Sequence, residues 1–282
     1  MQNTGLNRLT IDKFYTKESV VNNCCNILTQ NINIDFNNDL IIEPSAGNGA
    51  FINNILKLSS NFKFYDIQPE HEKILKQDYL ELNINKAISN DNSNTKFRKI
   101  HVIGNPPFGR QSSTAIKFIK KSALFSDTIS FILPKSFKKD SMKKYFPLQF
   151  HLLFETDLDY NSFIINSQVE KDVPCIFQIW EKKSVERNKV ENLEPVNFKF
   201  VKKDENPDIS FRRVGVNAGF IDTSNLNEKS VQSHYFIKFI ESINKNDIIN
   251  NLKCIIYPSN NTVGPKSISK QEIIKEFNLI LQ

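Results

Sequence analysis

Residues 40–52, Leu-Ile-Ile-Glu-Pro-Ser-Ala-Gly-Asn-Gly-Ala-Phe-Ile, constrain this chain more than any other stretch. They read as a short apolar strand, a turn with two glycines, and an apolar helix continuing to about residue 58. A strand without polar alternation is buried on both faces, as in a parallel sheet covered by helices. Glycines let a backbone approach a ligand closely, and the first N–H groups of a helix stand free to meet it. The dinucleotide fingerprint Gly-x-Gly-x-x-Gly lacks its third glycine here, so the turn alone does not name a ligand. Some 20 residues on comes Phe62-Lys63-Phe64-Tyr65-Asp66. This is a second short strand ending in an acid, where a ribose-binding carboxylate belongs. Gln77-Asp78-Tyr79-Leu80 then sets another acid beside an aromatic ring.

A third apolar run, Ile100-His101-Val102-Ile103, leads straight into Gly104-Asn105-Pro106-Pro107-Phe108-Gly109. An Asn-Pro turn closing a strand is the plain explanation. The same residues can also grip a planar group that carries an amine. The Asn105 side-chain oxygen and the Pro106 carbonyl can each accept an N–H from one exocyclic amine, and prolines hold a loop in one shape without donating. Phe108 offers a ring face for stacking. The run of strand, glycine turn, helix and two acids upstream favours the second explanation.

Taken together these segments resemble the S-adenosylmethionine-dependent amino-methyltransferases that act on the N6 amine of adenine, with motifs in the order of the gamma subgroup. The matching residues are Phe14-Tyr15-Thr16, then Glu43-Pro44-Ser45-Ala46-Gly47-Asn48-Gly49-Ala50-Phe51, Asp66, Asp78-Tyr79 and Asn105-Pro106-Pro107-Phe108. The resemblance spans roughly residues 11 to 180. Lys17 stands where the family usually has proline, and Phe108 where it usually has tyrosine. The resemblance implies a Rossmann-like class I methyltransferase fold, with a mostly parallel seven-stranded sheet flanked by helices. It implies S-adenosylmethionine as cofactor, held by Tyr15, Thr16, Glu43, Gly47, Gly49, Asp66, Asp78 and Tyr79. Asp66 would take the ribose hydroxyls, Asp78 the cofactor's adenine amine, and Glu43 would order the glycine turn and the cofactor amine. Tyr79 would stack on the cofactor ring or simply fill the core. Asn105, Pro106 and Phe108 would carry catalysis. Phe137 would cover the other face of the target base or lie in the core.

At 39% hydrophobic residues the chain can bury a proper core, and it holds no long apolar run and no signal-peptide pattern. Cys24, Cys25, Cys175 and Cys254 lack metal-ligand spacing, as do the four histidines, so no metal is expected. The thiols suit a reducing, intracellular compartment, and cytoplasm is the expected location. Net charge is +6. Between residues 96 and 144 stand Lys96, Arg98, Lys99, Arg110, Lys117, Lys120, Lys121, Lys135, Lys138, Lys139, Lys143 and Lys144 against Asp127 and Asp140 alone. Such an excess beside a stacking aromatic is the footprint of a polyanion site, with Lys135 to Lys144 on phosphates.

The expected organisation is a methyltransferase domain over residues 1–182 and a small C-terminal α+β appendage over 183–282, a candidate for substrate recognition. Helices are expected at 18–30 and 114–125, a loop at 83–95, a loop or short helix at 157–172, and strands at 129–133, 151–154 and 173–180. Beyond them strands are expected at 196–201, 209–216 and 252–257, with a helix near 234–243 and a last helix capped near Ser269. Arg212-Arg213 reads as a phosphate contact or a solvated strand edge. The function these features imply is methyl transfer to the exocyclic amine of adenine in DNA. The alternatives are the same chemistry on RNA, or an inactive partner subunit that only grips nucleic acid.

Overall fold

The computed structural model describes residues 14–89, 96–165, 169–171, 173–240, 245–258 and 265–282. The chain divides into two compact units, 1–189 and 190–282. Of the lead expected over residues 1–18, residues 1–13 lie outside the described residues.

The first unit begins with the two-residue strand β1 (Tyr15–Thr16) and helix α1 (Glu18–Asn31). Helix α1 buries Val20, Val21, Cys24, Cys25 and Leu28, a helical spacing that gives one apolar stripe. Strand β2 (Leu40–Glu43), helix α2 (Ile52–Leu58) and strand β3 (Asn61–Asp66) follow as a parallel βαβ unit. All four residues of β2 are buried, as its unbroken apolar run requires. Strand β4 (Ile74–Lys76) lies parallel to β3, and the short helix α3 (Ile84–Ala87) occupies part of what reads in sequence as a loop. Residues 90–95 of that loop lie outside the described residues. Strand β5 (Ile100–Gly104), helix α4 (Ser113–Ala123), strand β6 (Thr128–Pro134), the one-turn helix α5 (Asp140–Lys143) and strand β7 (Phe150–Asp157) complete the next part. The stretch expected as a loop or short helix over 157–172 contains two short strands, and its residues 166–168 and 172 lie outside the described residues. Strands β8 (Phe163–Ile165) and β9 (Val169–Lys171) form a hairpin there, and β8 takes β1 as its other neighbour. Strand β10 (Cys175–Lys182) closes the unit.

The main sheet runs β4-β3-β2-β5-β6-β10-β7. Only β10 is antiparallel to its neighbours β6 and β7. This is the Rossmann-like, mostly parallel seven-stranded sheet that the resemblance implies. One apolar cluster lies under α1 and α2, and a second, built on Phe118, Phe131, Phe146 and Trp180, fills the other side. From β2 the chain winds outward to β3 and β4, then returns to β5 on the far side of β2. The carboxyl ends of β2 and β5 therefore flank the topological switch point, where open α/β sheets leave a crevice.

The second unit has its own core around Phe198, Phe211, Ile237 and Phe277. Strands β11 (Phe198–Val201), β12 (Ile209–Arg212), β13 (Ile221–Asp222) and β14 (His234–Phe239) form an antiparallel sheet in the order β11-β14-β12-β13. Helices α6 (Lys245–Lys253) and α7 (Lys270–Leu281) complete it, with α7 started by a capping box of Ser269 and Glu272. Two sequence expectations fail in this unit. Residues 234–239 are a strand, not a helix, and Leu252 belongs to α6, not to a strand.

Candidate active site

Strand β5 delivers Asn105 to the switch point. The Asn105 amide nitrogen donates to the Phe14 carbonyl and to Thr16 Oγ1, both at 3.2 Å. A carbonyl can only accept, so the nitrogen must face Phe14, and this fixes the orientation of the amide. The other end, Oδ1, is buried and has no partner. Buried acceptors are rarely left unmade, because the desolvation costs about 1–3 kcal/mol. Asn105 lines a cavity of about 270 Å³ together with Pro106, Pro107 and Phe108. From the β2 side, the Ser45 hydroxyl donates to the Asn105 backbone carbonyl at 3.2 Å and ties the two strand ends together.

The loop after Phe108 is held in an uncommon backbone shape. Gly109 has φ +69°, and a Cβ there would overlap Thr114 Oγ1, so this position requires glycine. Gln111 and Ser112 also have positive φ, 52° and 61°. Such conformations persist where the surroundings over-determine them, often around functional sites. The Phe108 carbonyl accepts the N–H groups of Thr114 and Ala115 at 3.1 and 3.3 Å, which anchors the loop to the start of α4. The Phe108 ring packs partly against both apolar clusters and partly lines the cavity.

The opposite wall comes from β3, β4 and the glycine turn. Asp66, at the end of β3, accepts the Gly47 N–H on Oδ2 at 2.8 Å and the Gln68 N–H on Oδ1 at 2.7 Å. Each carboxylate oxygen keeps a further lone pair for a hydroxyl. Asp78 also lines the cavity, with Oδ1 accepting from the Leu80 N–H at 2.8 Å. Tyr15 lines it from β1, and its hydroxyl donates to Glu70 at 2.6 Å. Tyr79 presents only part of itself. It is 1% exposed, stacks on Phe118 at 5.3 Å, and bonds the Ser122 hydroxyl at 2.8 Å. Ile67, Leu80 and Phe118 supply apolar lining.

Tyr15, Gly47, Asp66, Asp78, Tyr79, Asn105, Pro106 and Phe108 thus share one cavity. Thr16, Glu43 and Gly49 do not line it; Thr16 and Gly49 line a separate cavity, which Tyr15 also borders. Thr16 is buried and holds the Asn105 amide. Gly49 has φ +85°, and a Cβ there would come within 2.7 Å of Ile52. Glu43 is buried and its Oε2 has no partner. Burial, and secondarily the charge of Asp66, push its carboxyl up to about 8 from an ordinary 4.5. Phe137 is fully buried in the core. Sequence reasoning gives no role to Ser45 or to the Phe14 carbonyl. The place of Ser45 in the turn is a signal that could reveal it, whereas a backbone carbonyl leaves no trace in sequence.

The basic stretch changes meaning in three dimensions. Lys135 and Lys138 pair with Asp157 at 3.2 and 2.6 Å, and Lys143 with Glu155 at 3.3 Å. Arg98 pairs with Asp39 and Lys99 with Glu181. Among the described residues, at least five of the twelve cations along this stretch are therefore paired with acids from distant segments. The phosphate cluster expected at Lys135 to Lys144 largely belongs to internal pairing with β7. His101 is buried between Thr128 at 2.8 Å and Asp39 at 3.2 Å. Burial lowers its pKa against the pull of Asp39, and it does not line the cavity, so the group is structural. Among the described residues no cluster of His, Cys, Asp or Glu could hold a metal, and no helix is long and apolar enough to cross a membrane.

No family model matches this chain, and no curated protein does. Solved structures that align with it include a proposed RNA methyltransferase from Pyrococcus horikoshii. It is 15% identical, with a TM-score of 0.45, over 61% of this chain and 88% of the other. The 23S rRNA methyltransferase ErmE aligns at 12% identity and a TM-score of 0.41, over 64% of this chain and 72% of its own. An S-adenosylmethionine-dependent methyltransferase from Clostridium acetobutylicum aligns at 13% and 0.39, over 60% and 93%. At such identities and TM-scores these likenesses carry no chemistry to this chain.

Proposed function

We propose that this protein is an S-adenosylmethionine-dependent methyltransferase that modifies the exocyclic amine of adenine in nucleic acid, with DNA as the first substrate to test. The observation that carries the proposal is the unpartnered, buried Asn105 Oδ1 beside Pro106 and Phe108 at the switch point.

The cofactor fits the residues present. Two carboxylates, Asp66 and Asp78, line a cavity that Ile67, Leu80 and aromatic rings also help to line. That set suits a nucleoside, with hydroxyls and an amine to bind and a flat ring to cover. Asp66 would accept the ribose hydroxyls and Asp78 the ring amine, while the turn at Gly47 brings backbone close to the amino-acid end. When bound, the cofactor supplies an electrophilic methyl group on a sulfonium.

The chain's own residues then act on the target amine. An aromatic amine is a poor nucleophile because its lone pair is delocalised into the ring. Asn105 Oδ1 and the Pro106 carbonyl would each accept one N–H, drawing the nitrogen toward a tetrahedral shape and localising that lone pair. Asn105 arrives preorganised, because Phe14 and Thr16 already hold its other end. Alignment of reacting groups is worth up to ~7–11 kcal/mol in ideal cases. No strong base is needed, since the nitrogen becomes acidic once alkylated and its proton can pass to water. Phe108 would stack on a base taken out of its helix.

RNA is the second substrate to test, because Asn-Pro-Pro-Phe-Gly also resembles a ribosomal-RNA adenine methyltransferase family. The experiment is transfer of a radiolabelled methyl group to duplex DNA, single-stranded DNA and structured RNA, with the labelled nucleoside identified. Label in N6-methyladenine supports the proposal, and its absence from every nucleic acid refutes it.

A further inference from the structure

The charge neutralised within the first unit has a counterpart in the second unit that is not neutralised. At one edge of the second sheet, Phe200, Lys202, Lys203, His234, Tyr235 and Lys270 help to surround a cleft of about 400 Å³. The Lys270 ammonium lies 4.7 Å from the centre of the Phe200 ring and 5.7 Å from that of Tyr235. The Arg213 guanidinium lies 5.2 Å from the same Tyr235 ring and donates to the Gln232 carbonyl at 3.0 and 3.1 Å. Lys270 and Arg213 are thus positioned by ring faces and a carbonyl. Among the described residues none of Lys202, Lys203, Arg213 and Lys270 forms an ion pair with a carboxylate. The acids nearby are few. Asp204 is exposed and also lines the cleft, Glu205 accepts from the Lys202 backbone N–H, and Glu272 is engaged in capping α7.

The contrast with the first unit is physical. A lysine paired to a carboxylate must give up that partner before it meets an anion. A cation held by a ring keeps its whole charge and gains order at little electrostatic cost. We infer that this cleft and its rim, Lys202, Lys203, Arg213 and Lys270 around Tyr235 and Phe200, bind the phosphate backbone of the nucleic-acid substrate. The inference deepens the proposed function and rests on it for the identity of the substrate. The charge favours a polyanion, and interleaved rings with cations are what nucleic-acid surfaces use for backbone and base together.

The test uses the full chain and fluorescent duplex DNA and structured RNA oligonucleotides, with binding and methyl transfer measured on the same preparations. The variant Lys202→Gln/Lys203→Gln/Lys270→Gln should lower the slope of log affinity against log salt by about 0.7–0.9 for each phosphate that is no longer neutralised. It should raise KM for the oligonucleotide and leave kcat unchanged, while Lys270→Arg retains wild-type binding. Lys253→Gln, an exposed lysine outside the cleft, serves as the charge control and should change neither. An unchanged slope in the triple variant, with its thermal unfolding intact, overturns the inference. So does wild-type binding to phosphatidylserine vesicles but to no oligonucleotide. If the triple variant loses binding as expected but the wild-type protein transfers no methyl group, the surface stands and the enzymatic reading falls. If transfer occurs with an unchanged KM in the triple variant, the enzyme stands and the surface falls.

Discussion

Glu43 gives the sharpest quantitative expectation. Its carboxyl is buried, lacks a partner on Oε2, and is pushed up to about 8 from 4.5. As pH rises from about 4.5 to 7, an unfolded chain releases this proton while the native protein keeps it. The native state then binds more protons than the unfolded one, so stability falls as pH rises. Two and a half units at about 1.4 kcal/mol each set an upper limit of about 3.5 kcal/mol lost at pH 7. Glu43→Gln keeps the size and polarity and removes the titration. The variant should match wild type near pH 4 and exceed it by up to about 3.5 kcal/mol at pH 7, with the gap levelling off above about pH 8. Urea unfolding of both proteins at intervals across that range measures the gap directly. A gap that stays constant, or that shrinks with rising pH, would mean that Glu43 is ionised in the native protein and that the reasoning from burial is wrong.

Other expectations concern the site itself. Asn105→Ala should reduce turnover on the order of 10²–10³-fold while cofactor affinity stays unchanged, as single-turnover kinetics and calorimetry can separate. Asp66→Ala should weaken S-adenosylmethionine binding by calorimetry, and unchanged affinity would remove Asp66 from the cofactor site. Phe108→Ala should weaken the nucleic-acid complex by about 1–3 kcal/mol, whereas Phe108→Tyr should be tolerated because any flat ring can stack. Gly109→Ala should destabilise the fold by about 1–3 kcal/mol through left-handed strain and the Thr114 clash. Part of that loss should return in the double variant with Thr114→Ala, so additive losses would remove the clash from the explanation.

The parts of the architecture legible in sequence are those in which local pattern and tertiary environment agree. The unbroken apolar run of β2 and the two glycines after it suit a buried parallel strand and a tight turn, and this places the switch point. The Asn-Pro-Pro-Phe loop follows from the same logic, since its position after β5 is set once the sheet is parallel. Strand β14 reads as a helix because its alternation is hidden. Ile237 and Phe239 are buried, but so is Phe236, and the period of two is lost. The β8–β9 hairpin escapes sequence reasoning because β8 pairs with a two-residue strand some 150 positions away, and no local signal encodes that partner. Charge is the least legible quantity. A sum along the chain treats Lys135, Lys138 and Lys143 as available, whereas β7 brings Asp157 and Glu155 to them. The orientation of the Asn105 amide is likewise invisible, because it depends on a backbone carbonyl from Phe14.

The central claim is that the buried Asn105 oxygen and the Pro106 carbonyl receive an adenine amine in front of a methyl donor. Incubating the wild-type protein with methyl-labelled S-adenosylmethionine and duplex DNA, single-stranded DNA or structured RNA, then digesting to nucleosides for mass spectrometry, tests it most directly. The account predicts label in N6-methylated adenine from at least one of these pools, and little or none with Asn105→Ala. Label confined to another base or to protein, or equal label from wild type and Asn105→Ala, would contradict it.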